Sequence, residues 1–127
     1  MAPIKYQILL MFAILVFMTE GLARAADSCA ESYAPVARLQ CAMDQLSEAE
    51  NTMEALWGRV IATSSEQERT YHRHAQAAWE AYREAHCLAL IPAGGTEAGP
   101  SLAFCRLMQT ERRIEDLRQA VSSPESP

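Results

Sequence analysis

At 127 residues, with 16 acidic side chains against 11 basic ones and a formal charge of −5, the chain suits one domain and is too acidic to favour nucleic acid as a partner. Lys5 and Arg24 outweigh Glu20 in the first 25 residues, so the remainder carries −6. A domain near 100 residues buries only a modest core, and four cysteines in it point to disulfide staples.

The chain begins with an export address. Lys5 gives a short positive region, Ile8 to Met18 is an unbroken apolar run, and Ala23-Arg24-Ala25 has the small residues that a signal peptidase reads. Cleavage is expected after Ala25. Eleven apolar residues are too few to span a bilayer, which takes about 20, so no stable membrane insertion is expected after cleavage. Ala26-Asp27-Ser28 is a poor lipidation signal before Cys29. The expected product is therefore periplasmic or secreted.

Punctuation in the mature chain is sparse: Pro35, Thr63-Ser64-Ser65, the stretch from Pro92 to Pro100, and a Ser/Pro tail over 122–127 that is expected to be disordered. Three helical blocks lie between. In the first, Leu39, Met43, Leu46, Met53, Leu56, Trp57 and Val60 recur at steps of three and four, interrupted by Glu50. The second opens with Ser65 and Glu68 at capping-box spacing and then sets Tyr71, Ala75, Ala78, Trp79, Tyr82 and Ala89 on one face. The third carries Phe104, Leu107, Ile114, Leu117 and Val121. Strand-like alternation is absent from the sequence, so the fold class is all-α: a small antiparallel bundle of about three helices, stapled by disulfides, with the apolar stripes facing inward.

Chemistry finds little support in this pattern. No Ser, Cys or Thr is set beside a histidine as an activated nucleophile, so no catalytic residue is assigned and the chain is read as a non-enzyme. The cysteines lack the paired short spacings of zinc sites. His72 and His74 point in nearly opposite directions on a helix, so a metal would have to use one of them with His86 and a carboxylate from elsewhere; no metal ligand and no cofactor is assigned. Trp79 and Arg83 stand four residues apart on one side of their helix. The guanidinium is thus placed to lie over the indole or to reach a carboxylate of the first helix, Glu50 or Glu54, and both residues are read as structural.

The same helix carries a family resemblance. Ala75-Gln76, Trp79, Tyr82-Arg83-Glu84 and Cys87 resemble the AQ-x2-W-x2-[YF]-R-[DE]-x2-C signature of the lysozyme inhibitor LprI-like N-terminal domain family, also known as DUF1311. Gly94-Gly95-Thr96 is similar to the family's Gly-Gly-Ser/Thr loop, and Cys105, Thr110, Arg113 and Leu117 match its C-x4-T-x2-R-x3-L helix. Upstream, Met53 to Trp57 sits where the family shows L-N-x2-Y, with Glu54 in place of the asparagine, Trp57 in place of the tyrosine and Glu50 in place of an aspartate. The resemblance implies a disulfide-bonded helical envelope protein over residues 26–121, without catalytic residues, some of whose relatives bind and inhibit lysozyme. Two functions are therefore carried. One is inhibition of a basic lysozyme-type peptidoglycan hydrolase, with Glu48, Glu50 and Glu54 as the interacting acids. The other is a periplasmic structural module that binds another envelope protein or a metal. The oligomeric state is left open.

The cysteines admit three pairings. Counting from the turns, Cys41 and Cys105 are both level with Cys87, so height does not decide. Direction does, because Cys41 lies about 200° around the helix from Leu39 and Met43 and points away from that stripe. Cys29 with Cys41 and Cys87 with Cys105 are expected.

Overall fold

A computed structural model describes Cys29, residues 31–91 and residues 94–122. The expected leader, its cleavage point and the tail beyond Ser122 lie outside the described residues. The chain divides into a segment through Ser32 and a compact unit from Tyr33 onward. That unit contains three helices: α1, Pro35–Thr63; α2, Glu66–Leu90; and α3, Ala98–Ser122. α3 thus takes in the first residue of the expected tail.

Local chemistry sets the helix ends. Pro35 occupies the first turn of α1, where its fixed φ suits the helix and its missing N–H costs nothing. At the other end, the Thr63 hydroxyl donates to the Arg59 carbonyl at 3.0 Å, and the Ser64 hydroxyl donates at 2.6 Å to the Val60 carbonyl, one of the last four of the helix. Ser65 then starts α2 at once. Its hydroxyl accepts from the Glu68 N–H at 3.3 Å, and the Glu68 carboxylate accepts from the Ser65 N–H at 2.7 Å, closing the capping box read from the sequence. Hydrogen bonding of the Glu68 carboxylate to the Ser65 side chain first, and to the Ser65 backbone N–H second, holds the carboxyl below its ordinary pKa. Before α3, Gly94 and Gly95 have φ of 90° and 97°, a region where a Cβ is strained.

The three helices form an up-down-up bundle. Glu50 of α1 and Thr110 of α3 both meet Arg83 of α2, while Met53 and Arg113, three residues further along each helix, both meet Gln76, seven residues back along α2. α2 is therefore antiparallel to both neighbours, and α1 is parallel to α3. α1 and α3 make the most intimate pair because small residues line it: Ala42 and Ala103 are buried, and a Cβ on Gly99 would lie 3.4 Å from a Leu39 methyl. α3 is the central helix, burying Ala103, Leu107, Thr110, Ile114 and Leu117.

The inward face of α2 differs from the one expected. Tyr71 and Tyr82 are more than half exposed, as is Met43 of α1, and Ala75, Ala78 and Ala89 are exposed as well. The stripe that turns inward instead is His72, Gln76, Trp79, Arg83 and Cys87, spaced four, three, four and four. It lies one residue, or about 100° of helix rotation, from the alanine and tyrosine stripe. Hydropathy alone selects the wrong face because the polar members of the inward stripe find partners on α1 and α3.

All four cysteines are in disulfides. Cys87 is joined to Cys105, with 5.6 Å between their Cα atoms, which leaves Cys29 and Cys41 as the other pair.

Candidate functional site

Arg83, with its side chain only 14% exposed, sits at the middle of the bundle. Its Nη1 donates to Glu50 Oε1 and to Thr110 Oγ1, each at 3.0 Å, so one guanidinium ties all three helices together. Of the two carboxylates weighed for it, Glu50 is the partner. Thr110 is fully buried, and its hydroxyl serves twice, accepting from Arg83 and donating to the Arg106 carbonyl at 2.8 Å. The Arg83 guanidinium also lies over the Trp79 ring, 5.0 Å from its centroid, as the i, i+4 spacing allows.

A second layer adjoins the first. Arg113 lies 6.0 Å from the same indole centroid, and its Nε donates to Gln76 Oε1 at 3.1 Å. The Gln76 amide nitrogen donates to Glu80 Oε1 at 3.2 Å. Burial pushes the Arg113 pKa down from the usual guanidinium value, and Asp116 opposes the shift; an arginine starting so high stays charged throughout the physiological range. Glu84 meets Arg83 Nε at 3.4 Å and accepts from Arg106 Nη2. Leu117 and Ile114, both buried, cover the network one turn further along α3.

The residues of the sequence signature thus fall into three groups. Gln76, Trp79, Arg83, Thr110, Arg113 and Leu117 converge on this network or its cover. Gly94 and Gly95 supply the left-handed backbone of the turn into α3. Tyr82 stands apart, exposed and stacked on His86 with centroids 5.2 Å apart. The three acids considered together on α1 also separate: Glu50 is engaged by Arg83, whereas Glu48 and Glu54 are exposed. Among the described residues, no three of His, Cys, Asp and Glu are grouped to hold a metal. His72 meets the Trp57 ring edge-on at 6.4 Å.

Sequence reasoning missed Arg106 and the role of Arg113 as a second cation on Trp79. A signal for both exists, since Arg106, Thr110 and Arg113 follow the i, i+4, i+7 spacing of a single helix face. Two such polar stripes, one on α2 and one on α3, are mutually satisfying when paired.

Most of the hydrogen bonds of these side chains are made within the bundle, so the signature describes how the domain holds together. No curated protein and no solved structure shows significant similarity to the chain. The family model described as lysozyme inhibitor LprI matches residues 26–117. That span contains the three-helix signature, both glycines of the turn and all four cysteines, and the chain belongs to the lysozyme inhibitor LprI family.

Proposed function

We propose that the protein is exported to the envelope, where it binds a lysozyme-type peptidoglycan hydrolase and inhibits it without any catalytic step of its own. The observation that carries this reading is the match to the lysozyme inhibitor family over residues 26–117. Oxidised cysteines suit an exported protein, and among the described residues no helix is long and apolar enough to cross a membrane. The charge of −6 expected after cleavage favours encounter with a basic enzyme, an attraction that acts on association rate and is screened by salt. Of Glu48, Glu50 and Glu54 on α1, Glu48 and Glu54 remain available for it.

The test is a lysis assay. Purified mature protein slows the clearing of a peptidoglycan suspension by a basic lysozyme, and the effect weakens as ionic strength rises. An unchanged lysis rate with basic, neutral and acidic lysozymes alike, at inhibitor in large excess, refutes the reading. Intact-mass measurement of the exported product checks the export half: a chain starting at Ala26 is expected, and an unprocessed chain or one diacylated at Cys29 refutes it.

A further inference from the structure

Three arginines enter the network, and two of them have carboxylates: Arg83 meets Glu50 and Glu84, and Arg106 meets Glu84. Arg113 has none. It is half-buried, yet no acid among the described residues lies within ion-pair distance of it. Its hydrogen bond runs from Nε to the neutral Gln76 at 3.1 Å. The two terminal nitrogens donate to no described residue, and neither is sealed from solvent. Of the five N–H groups of a guanidinium, the four on these nitrogens are thus left unused, arranged as a planar fork. The fork is also held in place. Glu80 accepts from the Gln76 amide nitrogen at 3.2 Å, which turns the Gln76 carbonyl oxygen toward Arg113, and the Trp79 ring centroid lies 6.0 Å from the guanidinium carbon.

In this chain a neutral amide separates the cation from the Glu80 carboxylate. Burial disfavours the charge of Arg113, and only Asp116, outside ion-pair distance, offsets it. A cation partly removed from water, fixed on two sides and left without a counter-charge is preorganised for an anion, because little freedom is lost when one binds. The planar fork matches a carboxylate, which it can hold through two parallel bonds. Asp116 nearby and the −6 expected for the mature chain repel a doubly charged phosphate more than a single carboxylate. The same charge disfavours a polymer that carries many carboxylates, such as peptidoglycan, and favours a carboxylate borne on a basic protein. We infer that Arg113 is the binding group for one carboxylate side chain of the partner protein, with Gln76 and Trp79 as its positioning residues. The inference rests on the proposed function only for the identity of the partner as a hydrolase.

Two measurements test it. Sodium acetate is titrated into the mature protein with isotope-labelled arginine and tryptophan nitrogens, against sodium chloride at equal ionic strength. Acetate shifts the Arg113 Nε–H and the Trp79 indole N–H with a midpoint of about 10–100 mM, the range of one bidentate charge-assisted pair, and leaves Arg112 and Arg118 unmoved. The double variant Gln76→Glu with Glu80→Gln is then compared with the parent in the titration, in melting and in the lysis assay. This exchange keeps the net charge and gives Arg113 a carboxylate of its own. The acetate shift therefore disappears and inhibition weakens about tenfold, while the melting point stays close to that of the parent. Arg113→Lys keeps the charge but loses the fork; it weakens inhibition by a similar factor and answers the same question if the exchange does not fold. If the parent inhibits and the folded variants match it, the site is refuted and the proposed function stands. If the parent inhibits no hydrolase, the proposed function falls and the titration decides the site: shifts confined to Arg113 and Trp79 sustain it, and none at about 300 mM, well above the expected midpoint, overturns it. Co-sedimentation with purified peptidoglycan that the exchange abolishes overturns the protein partner and moves the carboxylate to the stem peptides.

Discussion

Arg83→Ala measures how much of the bundle hangs on one guanidinium. The substitution deletes two hydrogen bonds of 3.0 Å and the stacking on Trp79. The bond to Glu50 is charge-assisted, but Glu50 is 43% exposed, so water screens the pair and rehydrates the carboxylate afterwards; its loss is worth about 1 kcal/mol. Thr110 is fully buried but keeps its bond to the Arg106 carbonyl, so the hydroxyl is not stranded and this loss is again about 1 kcal/mol. The cation over a partly buried indole adds about 0.5–1 kcal/mol, and burial of the arginine stem a similar amount. Neighbouring losses are not strictly additive, so the expected total is about 2–4 kcal/mol, in a domain whose whole stability is of the order of 5–15 kcal/mol. The melting point should fall by about 10–25 °C. Urea unfolding under non-reducing conditions, followed by helical circular dichroism and by the fluorescence of Trp57 and Trp79, measures it. A cycle with Glu50→Ala should return a coupling of about 1 kcal/mol. Arg83→Lys recovers only part of the loss, because an ammonium lacks the planar fork that reaches two helices while covering a ring. An Arg83→Ala protein within about 0.5 kcal/mol of the parent, the range of an ordinary surface substitution, refutes the assignment of the signature to the core.

Three further outcomes are expected. Replacing Cys87 and Cys105 together by serine opens a loop closed over a sequence separation of 18 and should cost about 3 kcal/mol by the chain-entropy relation, read as a lower urea midpoint; a midpoint equal to that of the oxidised parent counts against the staple. Gly95→Ala forces a Cβ onto a φ of 97° and should cost about 1–2 kcal/mol in the same assay, although there is open space around the position, so an unchanged midpoint shows that the turn relaxes freely. Glu68 has its carboxyl held below 4.5, the ordinary value, by the Ser65 bonds; the stabilisation is therefore complete above that value and is lost as pH falls through the lowered one. Glu68→Gln should remove this part of the acid dependence, and parallel stability-versus-pH curves for parent and variant would show that the cap contributes none of it.

Much of the architecture was legible without tertiary information because it is set by neighbours in the chain. Pro35, the Ser65–Glu68 box and Gly94-Gly95 act within a few residues of themselves, and they mark the ends of helices whose existence the three- and four-residue periodicity already indicates. The family signature was equally local in its spelling, and the four-residue spacing of Trp79 and Arg83 carried the expectation that the two work together. The face that α2 turns inward was a different matter. Tyr71, Ala75, Ala78 and Tyr82 form the more apolar stripe, and an isolated amphipathic helix would bury them. Gln76 and Arg83 displace them because Glu50, Thr110 and Arg113 stand ready on two other helices, while the Cys87–Cys105 bond fixes the rotation of α2 at its far end. The worth of a buried polar group depends on whether its partner is present, and here the partners are 27 to 37 residues away along the chain. The same reason separates Glu50 from Glu48 and Glu54, which spelling alone cannot distinguish. Helix propensity and end signals are properties of short stretches, and they determine that there are three helices and where they end; the choice of buried face is a property of pairs, and only the packed structure decides it.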